Sequence, residues 1–144
     1  MLQRRSKASC WLVVDTNIVS YGFRQEKVFV DFYGPAMVGH EVVVSFMTVA
    51  ELEYGVRRRG WGEQRRRSLR EYLDRNDVMY GVSRELVDAW ARLIAEAQSQ
   101  GRVLSSSDGW IAATAAVLGV PLVTHNAKDF ARLGGVTLIS ASPA

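Results

Sequence analysis

Four carboxylates stand at places in the 144-residue sequence where chemistry is commonly done: Asp15 in "WLVVDTN", Glu51 in "TVAELEYG", Asp108 in "SSSDGWIAA" and Asp129 in "VTHNAKDF". Each lies next to a hydrophobic run, so each is expected near the end of an element rather than in its middle. A carboxylate there can move a proton, attack as a nucleophile or hold a hard cation. Each also has an ordinary structural job open to it. Asp15 or Thr16 can cap the next helix, and Thr48 and Glu51 have the spacing of a capping box. Asp108 complements a helix dipole, and Asp129 suits a turn. His125 competes with Asp129 in the last stretch, as a general base.

The elements that must position these groups are readable from periodicity. "WLVVD" is a short apolar run ending in Asp15, the pattern of a strand buried on both faces of a parallel sheet. "EVVVSFMT", "VMYGV", "VPLVTHN" and "VTLISA" complete a set of five strands. "TNIVSYGF" and "KVFVDFYGPAMVG" carry helical spacing, the second broken by Gly34 and Pro35. In "VAELEYGVRRR", Val49, Leu52 and Val56 share one stripe; Glu51 lies off it, free to point back towards the edge that carries Asp15. An arginine-rich helix follows over 62–76, with Leu69, Tyr72 and Leu73 as its apolar stripe. The next helix starts on a Ser83 cap and stops at Gly101, with Leu86, Trp90, Leu93 and Ala97 towards the core. "SSSDGWIAATAAVLG" opens on capping serines and closes on Gly119.

Strands alternating with helices predict one α/β domain over 11–144, after a basic N-terminal extension over 1–10. Its architecture is a three-layer α/β/α sandwich around a central, mostly parallel five-stranded sheet, with ligand sites at the carboxyl ends of the strands. All four carboxylates fall at that edge. Left bare, such a cluster repels itself and raises its own pKa values unless a cation neutralises it. Oxygen-only donors favour magnesium or manganese over zinc. His40 and His125 lack the spacing of a zinc motif, and no glycine-rich phosphate fingerprint is present.

Composition narrows the classes further. At 48% hydrophobic and 23% charged, the chain has the makings of a real core. The single cysteine, Cys10, allows neither an internal disulfide nor a thiolate metal site, and points to a reducing compartment. "CWLVV" is too short for the core of a signal peptide, and no apolar run spans a bilayer, so a soluble cytoplasmic protein without membrane contact is expected. The formal charge of +3 and a pI near 9.3 suit an anionic partner such as nucleic acid. Seven arginines between Arg57 and Arg70 concentrate that charge. Glu63, Glu71 and Asp74 partly balance them, as on a solvated helix face.

Asp15-Thr16-Asn17 after a hydrophobic strand, "TVAELEYG", "SSSDGWIAATAAVLG" and "LVTHNAKDF", in that order across nearly the whole chain, resemble the PIN-domain ribonucleases. The likeness is closest to the VapC-type toxins of bacterial toxin–antitoxin pairs. The resemblance implies that Asp15, Glu51, Asp108 and Asp129 bind one or two Mg2+ or Mn2+ ions and cut RNA, leaving 5′-phosphate and 3′-hydroxyl ends. It casts Thr16, Asn17, Thr124 and Asn126 as groups that orient carboxylates or water. Arg57, Arg58, Arg65 and Arg66 become candidates for holding RNA phosphates, and His125 falls back to a groove-side or structural residue. The resemblance also implies a homodimer and a VapB-type antitoxin whose C-terminal segment lies across the active-site groove, for which Tyr21, Phe23, Tyr54 and Trp61 are candidate lining. Trp61, Trp90 and Trp110 are expected to pack rather than to stack on bases. A phosphoaspartyl hydrolase would want a second aspartate where Asn17 stands, and a response-regulator receiver would want an acidic pair and a late lysine. The remaining alternative is a degenerate PIN domain that binds RNA or protein without cutting.

Overall fold

In this computed structural model, residues 10–143 are described; apart from Cys10, the expected N-terminal extension lies outside them. Five strands form: β1 (Trp11–Val14), β2 (Glu41–Ser45), β3 (Asp77–Met79), β4 (Leu122–Val123) and β5 (Leu138–Ile139). They pair in the order β3-β2-β1-β4-β5, and every pairing is parallel. The helices among the described residues are α1 (Thr16–Phe23), α2 (Gly34–Met37), α3 (Phe46–Arg58), α4 (Glu63–Asp74), α5 (Arg84–Ser99), α6 (Ser106–Leu118) and α7 (Ala127–Phe130). A π-helical turn, Phe29–Tyr33, leads into α2.

The central strand explains the three layers. All four residues of β1 are buried. Trp11 and Val13 join a core with Leu86, Leu93 and Ile111 of α5 and α6, while Leu12 and Val14 join another with Ile18, Leu52 and Leu73 of α1, α3 and α4. Successive side chains of a strand point to opposite faces, so four consecutive apolar residues specify a strand covered on both sides. Burying each such side chain stabilises the fold by ~1.5–3 kcal/mol. From β1 the chain runs to β2 on one side, and β4 pairs with β1 on the other. The strand order therefore changes direction between β1 and β4, the place where open α/β sheets form a crevice.

Several boundaries differ from the sequence reading. β2 stops at Ser45, whose hydroxyl accepts from the Met47 amide and caps α3. Phe46, Met47 and Thr48 are therefore helical, and Thr48–Glu51 is not a capping box. Gly34 and Pro35 do not break their helix. The π-helical turn runs directly into α2 through Gly34, whose amide donates to the Phe29 carbonyl, and Pro35 falls in the first turn of α2. A Cβ on Gly34 would lie 3.2 Å from the Phe29 carbonyl oxygen, which explains the glycine. Asp129 belongs to the one-turn helix α7 rather than to a loop.

Candidate active site

Asp15 ends β1 at the crevice and is only 5% exposed. Its Oδ1 accepts from the Thr16 amide at 2.8 Å, capping α1, and its Oδ2 accepts from Thr124 Oγ1 at 2.8 Å, just beyond β4. The structural and the chemical readings of Asp15 thus describe one residue: it caps a helix and faces the crevice. Burial pushes its carboxyl above the ordinary range; the Thr124 and Thr16 hydrogen bonds pull it back, and the charges of Glu51 and Asp129 push it up further.

Glu51, from α3, is held from the same side. Thr16 Oγ1 donates to Glu51 Oε1 at 2.5 Å and lies 3.1 Å from the buried Thr48 Oγ1. Asp108 stands in the first turn of α6, where its amide donates to the capping Ser105 Oγ at 3.1 Å. Its carboxyl is pushed up to about 6, first by burial and then by the charge of Asp15. Asp129 and Glu51 add to that rise, and a hydrogen bond with Ser105 opposes it. The start of α6 is braced by Trp90, whose Nε1 donates to the Ser106 carbonyl at 3.1 Å and whose ring stacks on Trp110 at 5.1 Å. Asp129, on α7, is exposed.

Glu51 and Asp129 each raise both Asp15 and Asp108, so four elements bring four negative charges within mutual reach. Among the described residues, however, no three acidic, histidine or cysteine side chains stand close enough to enclose one ion as they are. Asp15 and Asp108 also lie at helix N-termini, whose partial positive charge lowers the cost of gathering the carboxylates.

Thr16 and Thr124 bond directly to carboxylates, whereas among the described residues the side chains of Asn17 and Asn126 bond to none of the four. Sequence reasoning missed Tyr33. It is fully buried, its hydroxyl lies 2.7 Å from His125 Nδ1, and it accepts from the Ala141 amide at 3.0 Å. Ser142 Oγ donates to the His125 carbonyl at 2.6 Å. The segment after β4 is thereby clamped, and His125, edge-on to the rings of Tyr21 and Tyr33, is part of the clamp. The one signal for Tyr33 was its hydroxyl in an aromatic-rich stretch, which does not reveal a partner.

A cleft of about 240 Å3 runs from Thr16, Asn17 and Glu51 along α3 to Tyr54, Arg58 and Arg59. Phe23 and Trp61, stacked on each other, also line it. Of the arginines singled out in the sequence, Arg58 lines this cleft, while Arg57 pairs with Glu53 at 2.8 Å, beside Arg70 at 3.2 Å. The Arg65 guanidinium lies 3.9 Å from the centre of the Trp61 ring. Arg66 is half-buried, and its Nε has no hydrogen-bond partner among the described residues.

A parallel sheet with acidic groups gathered at its switch point defines a class of domain, and the sequence profile described as PIN domain matches residues 12–136. The chain belongs to the PIN-domain family. Within that family it is similar to ribonuclease VapC1 of Haemophilus influenzae strain R2866, at 31% identity over 124 residues that cover 84% of this chain and 90% of that protein. The solved structure of VapBC-1 from nontypeable Haemophilus influenzae contains a chain matching at TM-score 0.74 and 26% identity, over 90% of this chain and 97% of that one. VapBC2 from Rickettsia felis, bound to a promoter DNA fragment, matches in fold at TM-score 0.79 and 24% identity, over 90% of this chain and 98% of that one.

Proposed function

We propose that the chain is a divalent-metal-dependent endoribonuclease, the toxin of a VapBC-type pair, acting in the cytoplasm as a homodimer and restrained by a VapB-type antitoxin. The observation that carries the reading is the gathering of Asp15, Glu51, Asp108 and Asp129 from four elements at the switch point, with Asp108 pushed up to about 6. Similarity to a protein named as a ribonuclease and to chains of VapBC complexes supports it.

The donor set fits Mg2+ or Mn2+: every candidate ligand is a carboxylate oxygen, and each of these oxygens can still accept at another lone pair. Asp15, Glu51, Asp108 and Asp129 would hold one or two such ions, with side-chain rotation and water completing the coordination. When bound, such ions acidify an attacking water and neutralise charge on the scissile phosphate. Asp15, fixed through both oxygens by Thr16 and Thr124, supplies the immobile anchor of the set. Thr16 couples that anchor to Glu51. Asp129, exposed on its short helix, is free to close on a ligand from the solvent side. Arg58 and its neighbours offer positive charge beside the acidic pocket.

Purified protein is incubated with total RNA, with Mn2+ or with EDTA, and the new ends are mapped. Cleavage with 5′-phosphate ends is expected in Mn2+ and lost in EDTA and in Asp15→Asn. Asp129→Ala should impair cleavage, and His125→Ala should leave it largely intact. Cutting that persists in EDTA or in Asp15→Asn sinks the metal-dependent mechanism, and a protein that neither binds Mn2+ nor cuts is the non-catalytic RNA- or protein-binding form.

A further inference from the structure

On the side of the sheet that carries α5 and α6, a cavity of about 530 Å3 opens beside β3. Trp11, Val43, Met79, Val117 and Leu118 line it, and all five belong to the core on that side or pack against it. Val82 lines it too and is 54% exposed. Among the described residues β3 is an edge strand, paired with β2 alone. Part of an apolar sheet face is thus left open at the edge, in a space more than twice the volume of the cleft beside Glu51. None of the four carboxylates of the candidate active site lines it.

The surroundings of this opening are acidic. Asp77 and Glu85 line the cavity, and Glu41 stands opposite Trp11 in the β1–β2 register. On a chain with a formal charge of +3, three acids around one apolar opening select an occupant that is basic and partly apolar. The sequence holds such a segment directly beside it. Residues 1–9, which lie outside the described residues, run up to Cys10 and Trp11. Met1 and Leu2 supply large apolar side chains, and Arg4, Arg5 and Lys7 supply positive charge with no acid among them. The PIN-domain match starts at residue 12, so membership of the family does not account for this segment. From Trp11 back to Leu2 the chain can reach ~30 Å, against ~10 Å across three adjacent strands.

We infer that residues 1–9 dock in this cavity, with Leu2 beside Val82 and the basic side chains towards Asp77, Glu85 and Glu41. The segment then covers the open apolar face and ties the edge strand β3 to the central strand β1. A tethered segment meets the cavity at an effective concentration on the order of mM, an advantage that an outside peptide lacks. Its charges oppose those around the opening, which a second copy of the same acidic surface does not offer. Covering the face also removes an apolar patch of the kind that otherwise promotes association.

The test uses neither RNA nor metal, so its outcome is separate from that of the ribonuclease reading. Cys10, exposed and the single cysteine, is first replaced by serine. In that full-length background Leu2→Cys is combined with Val82→Cys, or with Val30→Cys as a control, Val30 being 51% exposed on the turn before α2. Disulfide formation under mild oxidation is followed on non-reducing gels. The Leu2–Val82 pair should close within one chain about tenfold faster than the control pair, the preference that burying one leucine side chain confers. That preference should shrink when Asp77→Asn and Glu85→Gln are added. In chains without engineered cysteines, deletion of residues 2–9 and, separately, Leu2→Asp should each increase the fluorescence of an apolar dye over that of the wild type. Equal closure of the two pairs overturns the inference, as does a preference indifferent to the two acids or dye binding unchanged by either variant. A Leu2–Val82 disulfide that joins two chains overturns it as well, and makes the face an interface between copies.

Discussion

Asp108 holds its proton to a higher pH in the folded chain than a free aspartate does. Its ordinary value of 3.8 rises to about 6 on folding, so between those two values the folded state binds more protons than the unfolded one. Stability contributed by this group is full below the lower value and is lost as pH rises through about 6. Asp15 shifts in the same direction and adds to the effect. Asp108→Asn should therefore raise the melting temperature by a few degrees at pH 8 in EDTA, with a gain that shrinks towards pH 4. It should also reduce the rise that Mn2+ gives the wild type. Scanning fluorimetry over that pH range checks it, and an unchanged melting temperature at pH 8 would show that crowding of the carboxylates costs the fold nothing. The carboxylates themselves were legible in the sequence because each borders a hydrophobic run. Thr16 and Thr124 were named as their supports only through the family resemblance, and which carboxylate each holds was not legible: the Thr124 that fixes Asp15 lies 109 residues further along the chain.

At the scale of elements, the wide turn Phe29–Tyr33 ties distant parts of the chain together. It carries Tyr33 inward to hold both His125 and the Ala141 amide, so the segment after β4 and the C-terminal stretch share one hydroxyl. Tyr33→Phe leaves two partly buried polar groups without that partner and should cost ~1–3 kcal/mol in urea unfolding. Val30→Ala, on the same turn but 51% exposed, should stay within ~0.5 kcal/mol. Equal costs would mean that the turn, and not the hydroxyl, does the holding. The strands and the long helices could be read from apolar period, as with the four buried residues of β1. The β2–α3 boundary could not, since "VVVSFM" is apolar on both sides of Ser45 and only the hydroxyl's bond to Met47 marks the turn. Gly34-Pro35 misled for a related reason: a proline in the first turn of a helix and one that ends a helix look alike in sequence.

On the scale of the whole molecule, the site is built from contacts far apart in the chain. β1 at the centre of the sheet pairs with β4, and the clamp on His125 comes from Ser142. Non-local parallel pairing is slow to form. A chain ended after Ile139 should lose the Ala141 and Ser142 bonds, melt lower and respond less to Mn2+; an undiminished Mn2+ response would show that the clamp does not order the carboxylates. The clamp also bears on how the protein is made. Asp15 leaves the ribosome on the order of 10 s before Ser142 at the usual rate of synthesis. For most of that interval the nascent chain carries Asp15 without Thr124, and throughout it the clamp lacks Ser142. The acidic set is therefore gathered late in synthesis: Asp129 is added long after Asp15, and the clamp residues Ala141 and Ser142 follow it.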